Sequence, residues 1–193
     1  LGITYIRLFK GLRFNYERWD VNPANRIVMD RAGFYIRDLD LSRDNQSISV
    51  ASKEEMANTP FEILIRNFRL ANITRMISQD TVLADGILNA QANIDLHDSF
   101  PEMNARLTID QLKVYNQDIG KLKITAQNET AQTYHADIQL TGKGNDVALS
   151  GAYYLAPREG NDFDFNLDMN PLSLKSVQGL AFGAIKNSDG ALS

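Results

Sequence analysis

The sequence contains no cysteine, which removes disulfides, thiolate metal ligands and thiol nucleophiles together and leaves the compartment open. Histidine is nearly absent too, with only His97 and His135. The 5 prolines and 12 glycines among 193 residues are too few for a collagen-like or low-complexity chain. No apolar run approaches the roughly 18 residues that a membrane-spanning helix needs. One sign of charge is also missing as a block: 20 Lys and Arg are scattered among 24 carboxylates, for a net charge of −4. Without a basic stripe, nucleic acid is not an expected partner. The opening Leu1-Gly2-Ile3 has no initiator Met and no basic segment followed by an apolar core. A segment of a longer protein is therefore expected.

What the chain does have is alternation. Phe61, Ile63 and Ile65 are separated by polar residues except at Leu64; Leu88, Ala90, Ala92, Ile94 and Leu96 oppose Asn89, Gln91, Asn93 and Asp95. Met103, Ala105, Leu107 and Ile109 repeat the scheme, as do Leu122, Ile124 and Ala126, then Tyr134, Ala136, Ile138 and Leu140. Val147, Leu149, Gly151 and Tyr153 follow, then Phe163, Phe165, Leu167 and Met169. A period of two places each apolar set on one face of a pleated strand, so seven antiparallel strands of about seven residues are expected, each buried on a single side. Turns are expected at Asn116–Gly120, Gln127–Thr130, Gly142–Asp146 and Pro157–Asp162. Residues 1–60 form a less regular portion continuous with the sheet, with strand candidates at Ile3–Phe9, Leu12–Tyr16, Ile27–Met29, Phe34–Leu41 and Ile48–Ala51. Ser52 to Glu55 could open one helical turn capped by Ser52. Residues 61–193 form the regular β-repeat region.

Within that region, residues 61–89 align without a gap onto 165–193, an offset of 104 residues. Phe61 meets Phe165, Leu70 meets Leu174, Asp85-Gly86 meets Asp189-Gly190 and Leu88 meets Leu192. After the first strand of each copy the period changes: Leu70, Ile73, Met76 and Ile77, like Leu174, Val177, Leu180, Ala181 and Ile185, are spaced for one face of a short helix. The expected unit is strand, short helix, Asp-Gly turn, strand, and repetition of such units gives an elongated body held by neighbours.

Catalysis has no foothold. His97, Asp98 and Ser99 are adjacent, whereas a triad needs a fold to bring separated groups into line. Gly142-Lys143-Gly144-Asn145-Asp146 joins two strands and opens no helix that could present N–H groups to a phosphate. Asp162, Asp164 and Asp168 alternate as a solvated strand face does and lack the glycine bend and the bidentate Glu of a calcium loop. Sequons at Asn45, Asn72 and Asn128 are unremarkable in a chain this rich in Asn. No enzyme activity, metal or cofactor is expected.

A sheet with one apolar face must cover it, and two short helices cannot cover seven strands. A closed β-sandwich is one solution. The other is a curled sheet whose apolar face stays open as a groove for an apolar ligand such as acyl chains. Periodicity alone does not separate them. A third possibility, a carbohydrate-binding sandwich, would rest on the aromatic cluster of Phe14, Tyr16 and Trp19.

Several stretches in order resemble the C-terminal part of TamB-like translocation and assembly proteins, in a version like those of Bacteroidetes. They are Asn67-Phe68-Arg69-Leu70, Ala84-Asp85-Gly86, Leu107-Thr108-Ile109-Asp110, Ile119-Gly120-Lys121-Leu122, Tyr134-His135-Ala136-Asp137, Gly142 to Gly151, and Ser188-Asp189-Gly190-Ala191-Leu192-Ser193. The resemblance covers about residues 27 to 193. It implies a piece of a long periplasmic protein similar to the AsmA-like bridging proteins, anchored in the inner membrane outside this sequence. It also implies an elongated, curled antiparallel sheet with an apolar groove, phospholipid or another acyl lipid as partner, and an outer-membrane barrel protein as a second partner in outer-membrane biogenesis. With that resemblance the groove reading leads and the closed sandwich is the alternative. The expected wall is Ile63, Ile65, Leu107, Ile109, Leu122, Ile124, Ile138, Leu140, Val147, Leu149, Phe163, Phe165 and Leu167, with Arg106, Lys121 and Lys123 solvating the outside. The competing function is a scaffold for protein assembly or secretion, whose edge strands accept client strands by β-augmentation.

Overall fold

The computed structural model describes residues 2–77, 82–96, 100–158, 161–181 and 189–192. Short strands open the chain: β1 (Thr4–Ile6), β2 (Arg13–Phe14), β3 (Glu17–Arg18), β4 (Asp20–Val21), β5 (Arg26–Met29) and β6 (Phe34–Arg37). Then come β7 (Leu39–Arg43), β8 (Gln46–Ser52), β9 (Phe61–Arg69), the helix α1 (Ala71–Ile77), β10 (Ala84–Asp95), β11 (Glu102–Val114) and β12 (Gln117–Thr130). The last elements are β13 (Thr133–Gly142), β14 (Asn145–Arg158), β15 (Asn161–Met169), β16 (Leu172–Ser173), the helix α2 (Leu174–Leu180) and β17 (Ala191–Leu192).

Ten strands form one antiparallel sheet in the order β15-β14-β13-β12-β11-β10-β9-β8-β7-β4, so from β7 to β15 each strand lies beside the next in sequence. Tight loops make this possible. Tyr115-Asn116 and Lys143-Gly144 hold positive φ at both central positions, the backbone hand that lets a two-residue loop follow the twist of its strands. A smaller sheet, β1-β5-β6, lies beside β8, where Ile36 donates its N–H to the Ser52 hydroxyl at 3.0 Å.

The strands are longer than seven residues: β12 and β14 each have 14, about 46 Å at about 3.3 Å per residue. Gln127–Thr130 belongs to β12, and Asn116–Gly120 is mostly the beginning of that strand. Polar residues there do not end the strand: Asn128, on the same face as Tyr134, accepts Met103 N–H within the continuing ladder. The helical turn at Ser52–Glu55 does not form, since the Ser52 hydroxyl accepts from Ile36 and Lys53 N–H reaches Pro60 O at 2.8 Å across an irregular loop.

Bulges break the alternation without breaking the apolar face. Arg66-Asn67 stand opposite Asn89 alone, and Asp110-Gln111 stand opposite Lys121 alone, with Asn67 at φ 51° and Gln111 at φ 54°. The extra residue turns Phe68 to the side of Ile65, and Leu112 and Val114 to the side of Ile109. These side chains join Trp19, Val21, Leu41, Leu88 and Ile119 in the buried cluster. Trp19 is fully buried, with Phe14 edge-on at 5.5 Å and Phe68 at 5.8 Å, while Tyr16 stands exposed in the β2–β3 loop. The aromatic cluster is thus core plus a loop tip, and no flat sugar-stacking face is formed.

The sheet does not close. It ends at β4 and at β15, and every one of the nine residues of β15 is exposed. A closed sandwich would bury both inner faces, so that alternative is set aside: the large apolar side chains of β13, β14 and β15 remain only partly buried or exposed. α1 packs on β10 and α2 on β12 and β11, which covers a small part of the sheet. Among the described residues no helix is long and apolar enough to cross a membrane.

Candidate functional site

Cross-strand register assigns every wall residue to a face. Ile48, Ile65, Ala90, Leu107, Ile124, Ile138, Leu149 and Leu167 are consecutive partners across eight strands, forming one lateral row. Two residues along each strand in one direction, or three in β9 across its bulge, lies the row Phe68, Leu88, Ile109, Leu122, Leu140, Val147 and Met169. Two residues in the other direction lies Val50, Ile63, Ala92, Ala105, Ala126, Ala136, Gly151 and Phe165. Beyond it Phe61 pairs Ile94, which pairs Met103; on β12 the row is interrupted by Asn128, which pairs Tyr134, which pairs Tyr153, which pairs Phe163. Because side chains alternate along a strand, all four rows face one way. The structure therefore brings all thirteen sequence-predicted wall residues onto one side of the sheet.

They do not share one environment. Ile109 is 8 % exposed and belongs to the closed cluster with Trp19, so it is core. Ile63, Ile65, Leu107, Leu122, Ile124, Ile138, Leu140, Val147 and Leu149 are partly buried. Phe163, Phe165 and Leu167 are exposed by 63 %, 40 % and 53 %. The opposite face carries Arg106, Lys121 and Lys123, all exposed, with Lys121 Nζ 2.9 Å from Asp110 Oδ1.

The row between the large side chains was not anticipated. From β10 to β14 it consists of Ala92, Ala105, Ala126, Ala136 and Gly151, flanked on one side by the Leu107–Ile124–Ile138 row and on the other by Met103, Tyr134 and Tyr153. Five strands at about 4.8 Å spacing make this row of small residues about 19 Å long, running across the strands. At its end a Cβ on Gly151 would lie 2.0 Å from Asp164 O, so only glycine lets β15 approach β14 there. The signal was present in the sequence as a small residue near the middle of each alternating set.

A second feature is a buried amide clasp that occurs twice. Gln46, the first residue of β8, accepts Arg69 N–H at 3.0 Å and meets Asn72 Nδ2 at 3.3 Å. Asn145, the first residue of β14, accepts Ser173 N–H at 2.9 Å and donates to Ser176 Oγ at 2.7 Å and to Ile119 O at 2.7 Å. Arg69 and Asn72 are the offset partners of Ser173 and Ser176. Leu70 N–H bonds Gly86 O at 3.0 Å, and Leu174 N–H bonds Gly190 O at 3.0 Å. Both glycines hold positive φ, 148° and 111°. Asn72 is only 4 % exposed, which keeps that sequon out of reach.

Among the described residues, Trp19 Nε1 is the one buried side-chain polar atom left without a hydrogen-bond partner. His135 Nε2 lies 3.4 Å from Asp137 Oδ1 on the polar face. The Ser150 hydroxyl across the strand pair is the main cause that holds the Asp137 carboxyl below the usual range; partial burial opposes it, and His135 and then Thr125 add to the lowering. A cleft of about 450 Å³ between α1 and β11 is lined by Arg69, Arg75, Lys113 and Asp85, away from the apolar rows. His97, Asp98 and Ser99, together with Ile185 and Ser188, lie outside the described residues. No protein-family model, no curated protein and no solved structure matches the chain.

Proposed function

We propose that the apolar face of this sheet is a track for lipid acyl chains, and that the chain is a non-enzymatic, periplasmic segment of a TamB-like protein of outer-membrane biogenesis. One observation supports this above the others: three apolar rows, and a fourth interrupted only at Asn128, share one face of an open sheet, and a row of alanines ending in glycine runs between rows of large side chains. A surface so apolar and so incompletely covered is typical of a binding site. An acyl chain lying along the small row would be shielded by the flanking Leu, Ile and Tyr side chains, at about 0.8 kcal/mol per methylene removed from water. Headgroups would stay in water, and no reaction is needed. The outer-membrane barrel partner and the inner-membrane anchor come from the resemblance to the TamB-like proteins.

The test is lipid extraction and native mass spectrometry of the chain purified from a bacterial envelope fraction. Phospholipid should co-purify and should be lost in Ile124→Glu/Ile138→Glu, whose sites are only partly buried, and in Ala136→Trp, which fills the small row without adding charge. A folded parent protein that carries no lipid and takes none from vesicles overturns the reading. The second reading, a scaffold that accepts client strands, is favoured by the exposed edge of β15. Asn166→Pro in that edge should abolish client binding and leave lipid capture intact.

A further inference from the structure

β16 and β17 pair as Ser173↔Ala191 and Leu172↔Leu192. Shifted back by the repeat offset, these are Arg69↔Ile87 and Phe68↔Leu88, two pairs that the structure contains at the start of the β9–β10 ladder. The surroundings match as well: the Gly86 and Gly190 turns, the bonds they receive from Leu70 and Leu174, and the amide clasps of Gln46 and Asn145. In the first copy β10 continues past Leu88, and Ala90, Ala92 and Ile94 stand opposite Ile65, Ile63 and Phe61. In the second copy the offset partners of β9 are the end of β15, from Phe165 to Met169, and β16, and the side of β15 away from β14 has no neighbour among the described residues.

We propose that β15 is the acceptor for an eleventh strand, that this strand begins at β17, and that its register is already set. The second, fourth and sixth positions after Leu192 then stand opposite Met169, Leu167 and Phe165, and their side chains extend the apolar face. The occupant is thus a strand contiguous with β17, antiparallel to β15, with apolar residues at those three positions. The exposed side chains of β15 agree in detail: Phe165, Leu167 and Met169 are 40 %, 53 % and 42 % exposed on the apolar side, while Asp164, Asn166 and Asp168 face the polar side. Long edge strands normally carry an inward charge, a proline or a bulge that discourages pairing, and β15 carries none of these between Asp162 and Met169. This inference does not depend on lipid binding.

The experiment replaces Ser193 with Asn-Ala-Gln-Ala-Asn-Ile-Asp, the seven residues that follow Leu88, and follows amide hydrogen exchange in lipid-free protein. The β15 amides that point away from β14 should slow by at least tenfold relative to the parent chain, with β12 and β13 amides unchanged as the check on folding. A control with one glycine inserted after Leu192 flips every following side chain to the other face and should restore parent exchange. Equal protection in the shifted control, unchanged exchange in the extended chain, or protection that grows with protein concentration, which marks a second copy on the edge, each overturns the proposal.

Discussion

Asn145→Ala tests whether the buried clasp holds the end of the sheet together. Asn145 is 4 % exposed and satisfies three groups at once: Ser173 N–H, Ser176 Oγ and Ile119 O. Ser176 and Ile119 are fully buried, so water cannot replace the lost partner without opening the site. A typical hydrogen bond contributes about 1 kcal/mol net, and each buried group left unpaired costs about 1–3 kcal/mol. Allowing the Ser176 hydroxyl to rotate to another acceptor, the loss should be about 3 kcal/mol. For a chain of this length that corresponds to a fall of about 6–12 °C in Tm. Far-UV circular dichroism on heating reads the global effect, and hydrogen exchange over Leu172–Leu180 reads the local one. The sole tryptophan packs in the buried cluster that contains Ile119, so its fluorescence should shift together with the circular dichroism signal. Asn166→Ala, which removes an exposed bond to Asp168 on β15, should leave Tm within about 1 °C. If Asn145→Ala were no more disruptive than Asn166→Ala, the clasp would be ornamental and the reasoning from burial wrong.

Further expectations concern the matching clasp, two glycines, one carboxylate and the tryptophan. Gln46→Ala should destabilise by about 2 kcal/mol in urea titration, less than Asn145→Ala because its two bonds are longer. Gly120→Ala should be severe, at least about 2 kcal/mol, since its Cβ would lie 2.2 Å from Thr141 O at φ 122°; Gly151→Ala should instead loosen β15 from β14, seen as faster exchange confined to that pair. The Asp137 carboxyl is held low in the folded state, so its contribution is present above its unfolded range and is lost as pH falls through the folded value. About half of this side chain is exposed, so the increment should stay below about 0.5 kcal/mol, and Asp137→Asn should flatten that part of the acid stability profile. Trp19 Nε1 is buried without a hydrogen-bond partner, so Trp19→Phe should cost less than the roughly 3–5 kcal/mol of truncating a buried aromatic to Ala.

Strand order and the apolar face were legible because side chains alternate with a fixed period of two and hairpins place successive strands side by side. Ile124 opposite Ile138 follows from that logic alone. The bulges at Arg66-Asn67 and Asp110-Gln111 were not, because the phase break they cause reads as the end of a strand. Ile109 was placed on the correct face but not in its closed part, since periodicity says which way a side chain points and nothing of what lies over it. The clasp went unseen for a different reason: Gln46 and Asn145 are polar residues after turns, where polar residues are unexceptional. Only their common position, first in a strand that leads into a strand–helix unit, sets them apart. Ala92, Ala105, Ala126 and Ala136 stand in the sequence as ordinary apolar members of alternating sets, and only the cross-strand register aligns their small side chains in one row.

That row has a direction, and the direction has a consequence for capacity. A site built along strands is limited by how long a strand can be, and enlarging it means redesigning every hairpin. A row built across strands grows by one residue and about 4.8 Å each time a strand is added, with no change to the strands already present. On the proposed function, the length of acyl chain shielded would follow the number of strands, a quantity that duplication of a strand–helix unit changes in whole steps.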